Sequence, residues 1–189
     1  MSERSALAAT RLCDSTVRLT PWALADAQDL LAAVRESVAG VGHWLPWCTP
    51  DYGPTQAEQW VATCRAQWRV GAAYAFAIRA VDGGALLGSC GLNQLDHKHC
   101  LANLGYWVRS AAQGRGTATA AAQLVAAFGF RELGLARIEI VTLTDNLASR
   151  RVAVKLGARH EGVARHRLWA WNRAHDAAVY GLLPGDLAD

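Results

Sequence analysis

The sequence predicts a single α/β domain with a mixed, mostly antiparallel sheet of about seven strands and helices on both faces. Three observations predict it. Apolar residues alternate with a period of two in hairpin-like pairs in both halves of the chain. Segments with helical periodicity separate those pairs. A glycine turn, Gln113-Gly-Arg-Gly-Thr-Ala118, joins a strand to an alanine-rich helix and marks a crossover. No internal repeat or linker divides the chain, and 189 residues suit one domain with a sizeable core.

The elements follow in order. Residues 1–15 read as a flexible tail and 16–189 as the domain. A short strand over 17–22 leads into a helix over 23–38, with Leu24, Ala27, Leu31 and Val34 on one face. Residues 40–54 are rich in Gly and Pro and form a loop holding Trp44-Leu-Pro-Trp47. A second helix spans 55–70, with Thr55 and Glu58 at capping-box spacing and Trp60, Cys64 and Trp68 on one face. Strands are expected at 73–80, with Tyr74, Phe76 and Ile78 on one side, then at 85–94 and 101–109. The helix after the glycine turn turns Ala121, Leu124, Val125 and Phe128 inward and stops near Gly134. A strand at 137–143, a helix at 146–156 with Ala148, Val152 and Leu156 inward, and a hairpin of 160–171 with 176–183 complete the chain.

Composition narrows the function. With 52% hydrophobic and 19% charged residues the chain is globular. It has no apolar run long enough for a membrane span, and its first residues lack the apolar stretch of a secretory signal. A net charge of +3 is too mild for the basic stripe that nucleic acid demands, so no direct nucleic-acid binding is expected. The five cysteines are odd in number and widely spaced, which argues against a disulfide framework and for a reducing cytoplasm.

The glycine turn carries the chemistry. A helix N-terminus leaves its first N–H groups unpaired and slightly positive, and glycine lets a phosphate approach the backbone. A Walker loop would need Gly-Lys-Ser/Thr, but Gly116 precedes Thr117 and Ala118. A dinucleotide fingerprint would need a third small residue where Thr119 stands.

Gln113 to Ala118 resembles the Q/R-x-x-G-x-G/A pyrophosphate loop of the GNAT superfamily of acetyl-CoA-dependent N-acetyltransferases. Leu104-Gly-Tyr-Trp-Val108, Asp145-Asn-Leu-Ala-Ser149, Lys155-Leu-Gly157 and Glu161-Gly-Val-Ala-Arg165 follow that family's order. The resemblance is to the Rim-type branch, which acetylates ribosomal-protein N-termini, and it runs from Val17 to about Leu183. It implies acetyl-CoA as cosubstrate, no metal, and a chain that is a monomer or homodimer. The backbone of Gln113, Gly114, Arg115, Gly116, Thr117 and Ala118 would cradle the pyrophosphate. The strand at Trp107 and Val108 would splay from 138–142, so that the pantetheine arm completes the opened edge. A backbone N–H near Val108 would receive the developing oxyanion. Asn146 would bond the arm or cap its helix, and Trp44 and Trp47 would shape the acceptor site or plug the core.

The implied reaction is attack of a neutral amine on the thioester. Many relatives place a tyrosine near the leaving sulfur where this chain has Ala153; Ser149, one turn after Asn146, takes that role by resemblance. Its other reading is a helix serine bonded to the preceding turn. Some Rim-type enzymes carry an acid where Leu168 stands, which leaves Asp96, His97, His99, Glu161 and His166 as candidate bases, Glu161 doubling as an arginine partner. A weak base favours an acceptor that is partly neutral already: an α-amine titrates near 7.7–8.0, a lysine near 10.4. A protein N-terminal α-amine, such as that of a ribosomal protein, is therefore the expected acceptor. A polyamine or aminoglycoside-like amine is the alternative, and a non-catalytic CoA-binding module the third reading. His97-Lys-His99-Cys100 lacks zinc spacing. Arg150 and Arg151 would meet the ribose phosphate or stay solvated, and Trp169 and Trp171 are expected to share a packed face. Ala120 and Ala158, where relatives often have an acid and an aromatic, read as local packing differences.

Overall fold

The computed structural model describes residues 10–187. Its strands are β1 (Leu12–Cys13), β2 (Val17–Pro21), β3 (Tyr74–Ala80), β4 (Leu86–Asp96), β5 (Leu101–Val108), β6 (Arg137–Leu143), β7 (Arg159–Ala170) and β8 (Arg173–Leu182). Its α-helices are α1 (Ala27–Val41), α2 (Pro54–Arg69), α3 (Thr117–Arg131) and α4 (Leu147–Lys155). The strands form one sheet in the order β1-β2-β3-β4-β5-β6-β8-β7. Every neighbouring pair is antiparallel except β5 with β6, which is parallel and joined through α3. The sheet thus has eight strands, not about seven. The addition is β1, a two-residue strand paired Leu12↔Leu19 and Cys13↔Arg18, too short to show alternation. It lies in the stretch read as a tail; residues 1–9 of that stretch fall outside the described residues.

Two cores sit on the two faces. Phe76, Ile78, Leu92, Leu104, Ile138 and Ile140 pack with Ala121, Val125 and Phe128 of α3 and with Ala153 of α4. Trp22, Ala77, Leu86 and Trp107 pack with Leu30 and Val34 of α1 and Val61 and Cys64 of α2. The side-chain period of two therefore divides β3 between the cores, with Phe76 and Ile78 on one and Ala77 on the other. The Trp68 and Phe76 rings meet edge to face at 4.8 Å, a contact worth about 0.5–1.5 kcal/mol beyond area burial.

Several helix details differ from expectation. The chain first makes a short 3-10 turn, Leu24–Asp26, held by the Ala23 N–H donating to Asp26 Oδ2 at 2.8 Å. This shifts the phase of α1: its buried stripe is Leu30, Ala33, Val34, Ser37 and Val41, and Leu24 is 65% exposed. In α2 the first residue is Pro54, whose missing N–H costs nothing there. Gly53 precedes it and donates its N–H to Gln56 Oε1 at 3.1 Å, so neither Thr55 nor Glu58 caps. Its stripe runs through Ala57, Val61, Cys64 and Trp68; Trp60 sits about 100° from Val61 and is 42% exposed. At α4 Leu156 is buried and Val152 packs against the core as expected, Ala153 is buried beside them, and Ala148 is exposed. Trp169 is 74% exposed, while Trp171 stands in the β7–β8 turn with φ of 47°, so the two share no packed face. Among the described residues no helix is long and apolar enough to cross a membrane.

Candidate active site

The site begins where the sheet parts. β5 and β6 pair only at Leu101↔Arg137, Ala102↔Ile138 and Asn103↔Glu139. Beyond those residues β5 stays with β4 and β6 stays with β8, so two inner strand edges face each other unpaired. The far end of β5 is tied to α1. Arg109 forms an ion pair with Glu36, the Ala111 N–H donates to Glu36 Oε1 at 3.0 Å, and the Ser110 N–H donates to Ser37 Oγ at 3.1 Å. Alternation orients the opened edge. The Arg109 N–H donates to Leu87 O on β4, so the Val108 N–H points the other way, into the gap. Gln113 Nε2 donates to Val108 O at 2.9 Å and fixes the following peptide plane, the one that carries the Arg109 N–H.

A cavity of about 670 Å³ fills the gap. Its walls include Trp44, Trp107, Val108, Gln113, Gly114, Gly116, Thr117, Ala118, Asn146 and Ser149. Of the residues expected around the pyrophosphate and pantetheine, only Arg115 is outside the wall; it is exposed in the turn between the glycines. Gly114 and Gly116 have φ of 74° and 82°, a region that side chains other than glycine's rarely adopt. A Cβ built on either meets nothing within 4 Å, so the turn opens onto free space. Gly116 caps α3, and the first helical bond runs from the Ala120 N–H to Gly116 O at 3.0 Å. The preceding N–H groups have no intrahelical acceptor. This cradle fits a pyrophosphate.

The opposite wall belongs to α4. Asn146 Oδ1 accepts the Ser149 N–H at 3.0 Å, the capping geometry. The Ser149 hydroxyl lies 3.1 Å from the Tyr106 hydroxyl. Arg151 and Lys155, one turn apart, supply positive charge to the wall, whereas Arg150 donates to the Tyr180 hydroxyl and to Thr144 O at 3.0 and 2.9 Å.

A second cavity of about 550 Å³ lies under α2 and meets the first at Leu45, Gly105, Tyr106 and Trp107. Trp47 lines this one, not the first, and its ring stands 5.6 Å from that of Trp107. Tyr52, Trp60, Gln56, Gln59 and Gln67 add aromatic and amide surface. Burial pushes the Tyr52 hydroxyl up to about 12, so it stays neutral.

None of the five candidate bases lines either cavity. Asp96 bonds His99 at 2.8 Å on an exposed turn with His97 beside it. Glu161 pairs with Arg137, whose hydrogen bonds hold its carboxyl below the usual range. The His166 N–H donates to Asp176 Oδ1 at 2.9 Å. No carboxylate or imidazole among the described residues stands in either wall. Among those residues, too, no three His, Cys, Asp or Glu side chains gather as a metal group. Among the wall residues that the sequence reading gave no role are Tyr106 and Lys155. Tyr106 shares the parity of core Leu104, which is its sequence signal. Lys155 was legible as the residue one turn beyond Arg151.

A sheet parted between parallel strands, with a glycine turn at its mouth that fits a pyrophosphate and a capped helix opposite, is the arrangement expected of a coenzyme A-dependent acyltransferase. The chain belongs to the GNAT acetyltransferases: the Acetyltransferase (GNAT) domain matches residues 16–159. YdaF of Bacillus subtilis (strain 168), described as a candidate ribosomal N-acetyltransferase, is 31% identical over 160 residues, covering 84% of this chain and 86% of YdaF. A candidate ribosomal-protein-serine acetyltransferase from Vibrio cholerae superposes with a TM-score of 0.83 at 26% identity, over 94% of this chain and 99% of that one. RimJ of Mycobacterium smegmatis, solved with a CoA disulfide, gives 0.81 at 26% identity, over 95% and 88%. The protein is thus an acetyl-CoA-dependent N-acetyltransferase.

Proposed function

We propose that the acceptor is the α-amine of a protein N-terminus. The observation that carries this reading is the lack of any carboxylate or imidazole in either cavity wall among the described residues. Without a base, the enzyme depends on amine that is already neutral. At pH 7 that is about a tenth of α-amines but only a few in ten thousand lysines. The second cavity also offers no carboxylate to a polyamine or aminoglycoside. The names of the ribosomal-protein relatives agree with the reading.

The residues take these roles. The N–H groups from Gly114 to Ala118 hold the pyrophosphate, the Gln113 N–H being taken by Ser110 O at 3.3 Å, with Arg151 and Lys155 nearby for further phosphate charge. The gap between β5 and β6 takes the pantetheine arm, and Asn146 holds α4 against it. The acceptor enters past Trp47 and Trp44 and attacks the thioester where the cavities meet. The Val108 N–H receives the oxyanion, and the Ser149 hydroxyl faces the leaving sulfur.

The test is thiol release from acetyl-CoA with mass analysis of the acceptor. The panel holds peptides with free N-termini, blocked peptides with an internal lysine, and polyamines. Acetylation confined to free N-termini is expected. With such peptides kcat/KM rises about tenfold per pH unit until the α-amine's own pKa, then levels. A blocked lysine peptide that outruns its N-terminal counterpart at neutral pH would overturn the reading.

A further inference from the structure

We propose that Tyr106 is a positioning residue for the acetyl transfer: its phenol holds the Ser149 hydroxyl toward the leaving sulfur, so that two hydroxyls in series meet the thiolate. The inference rests on the role given to Ser149 above.

The geometry is specific. Tyr106 Oη lies 3.0 Å from Ser149 O and 3.1 Å from Ser149 Oγ. Tyr106 stands on β5 and Ser149 on α4, which follows β6. The contact therefore crosses the gap from one parted side to the other. Tyr106 is also one of the residues shared by both cavities, at the place where acceptor and thioester would meet. The Ser149 backbone is already fixed, since its N–H is bound by Asn146 Oδ1. Burial pushes the phenol pKa well up, so it keeps its proton at any working pH.

Hydrogen counting shows what the pair can do. The phenol has one hydrogen, and Ser149 O can only accept. In one arrangement the phenol donates to Ser149 O, and the Ser149 hydroxyl donates to the phenol oxygen. In the other, the phenol donates to Ser149 Oγ, which frees the serine hydrogen to point into the cavity. Negative charge growing on sulfur selects the second arrangement, because a charged acceptor makes the stronger bond. The donated phenol hydrogen then polarises the serine hydroxyl in turn. The N–C bond forms as the C–S bond breaks, and the electron pair leaves on sulfur. The proton shed by nitrogen passes to water, and the thiolate takes one from water on release. Neither hydroxyl is consumed.

The experiment is a double-mutant cycle with Tyr106→Phe, Ser149→Ala and both together, following kcat, CoA affinity and the thiol pKa of bound CoA read from its ultraviolet thiolate absorbance. Phenylalanine keeps the ring and its packing. Tyr106→Phe is expected to lower kcat about tenfold and Ser149→Ala tenfold to a hundredfold, with CoA affinity unchanged. The double variant should be no slower than Ser149→Ala alone, since the phenol acts through the serine. In the native protein the bound thiol should titrate below free CoA measured alongside, and it should move back up in Tyr106→Phe. An unchanged kcat in Tyr106→Phe, or a double variant whose losses multiply, overturns the relay. A slow Ser149→Ala beside a silent Tyr106→Phe sinks the relay and leaves the serine's role standing. Silence in Ser149→Ala sinks both.

Discussion

Gly116 concentrates two physical demands in one residue. Its φ of 82° needs glycine, and its position as the cap of α3 places it beside the space where the proposed pyrophosphate lies. Gly116→Asp puts a carboxylate there and is expected to abolish CoA binding in a folded protein, measured by calorimetry. Gly116→Asn, neutral and tolerant of the left-handed region, separates charge from backbone strain and should weaken binding far less. Equal affinity in the aspartate variant would move the cofactor elsewhere. The glycine turn was readable because its residue types admit few conformations. The base was not: Glu161, Asp96 and the histidines are plausible by type, and only their placement shows that each has another partner or faces solvent. Tyr106 was hidden for the opposite reason, since its apolar strand gives no hint that a serine 43 positions later comes within reach.

Among the elements, β6, β8 and β7 are fastened by a contact that skips a strand. Arg137 on β6 reaches over Gly181 of β8 to Glu161 on β7 and also bonds Glu139. A Cβ on Gly181 would lie 2.3 Å from Glu161 Oε1 and 2.6 Å from Arg137 Nη1. Both are ends of flexible side chains, so Gly181→Ala should cost the ion pair rather than the strand, at most about 1 kcal/mol for a pair this exposed. Denaturant unfolding should show Gly181→Ala and Glu161→Gln each mildly destabilising and their combination no worse than either. The sign with pH follows from Glu161, whose carboxyl is held down by Arg137. Its stabilisation is present above the ordinary carboxylate value of 4.5 and is lost as pH falls through the lower folded value. The gap between native and Glu161→Gln should therefore close in acid; a gap that persists there would assign the effect to something other than charge. At this scale the sequence was informative where period and punctuation agree, as in β6, bounded as expected at Arg137–Leu143. It misled at helix starts. The turn at Leu24–Asp26 and the proline at α2's first position set the phase through local hydrogen bonding, which an apolar count does not see.

For the whole molecule, the consequence of the fold is a sheet in two parts. β1 to β5 carry α1 and α2 on one face, β6 to β8 close the other end, and α3 bridges the gap. Direct pairing between the halves is limited to three residues of each inner strand. A pantetheine arm in the gap would supply the missing strand and join the halves. Hydrogen exchange tests this. In the free protein the Tyr106 and Val108 amides, which lie beyond the paired residues and which alternation turns into the gap, should exchange faster than their neighbours bonded to β4. Saturating CoA raises global stability by about 2.7 kcal/mol at a hundredfold excess over Kd, and amides that open only by global unfolding gain that amount uniformly. The gap-facing amides should gain more, because the ligand covers them directly, and so should the first turn of α3. Protection beyond the global increment at α3 alone would confine CoA to its pyrophosphate contacts and leave the parted strands without the role proposed for them. Protection on both would tie the unpaired edges, the glycine turn and the three-residue seam into one binding event.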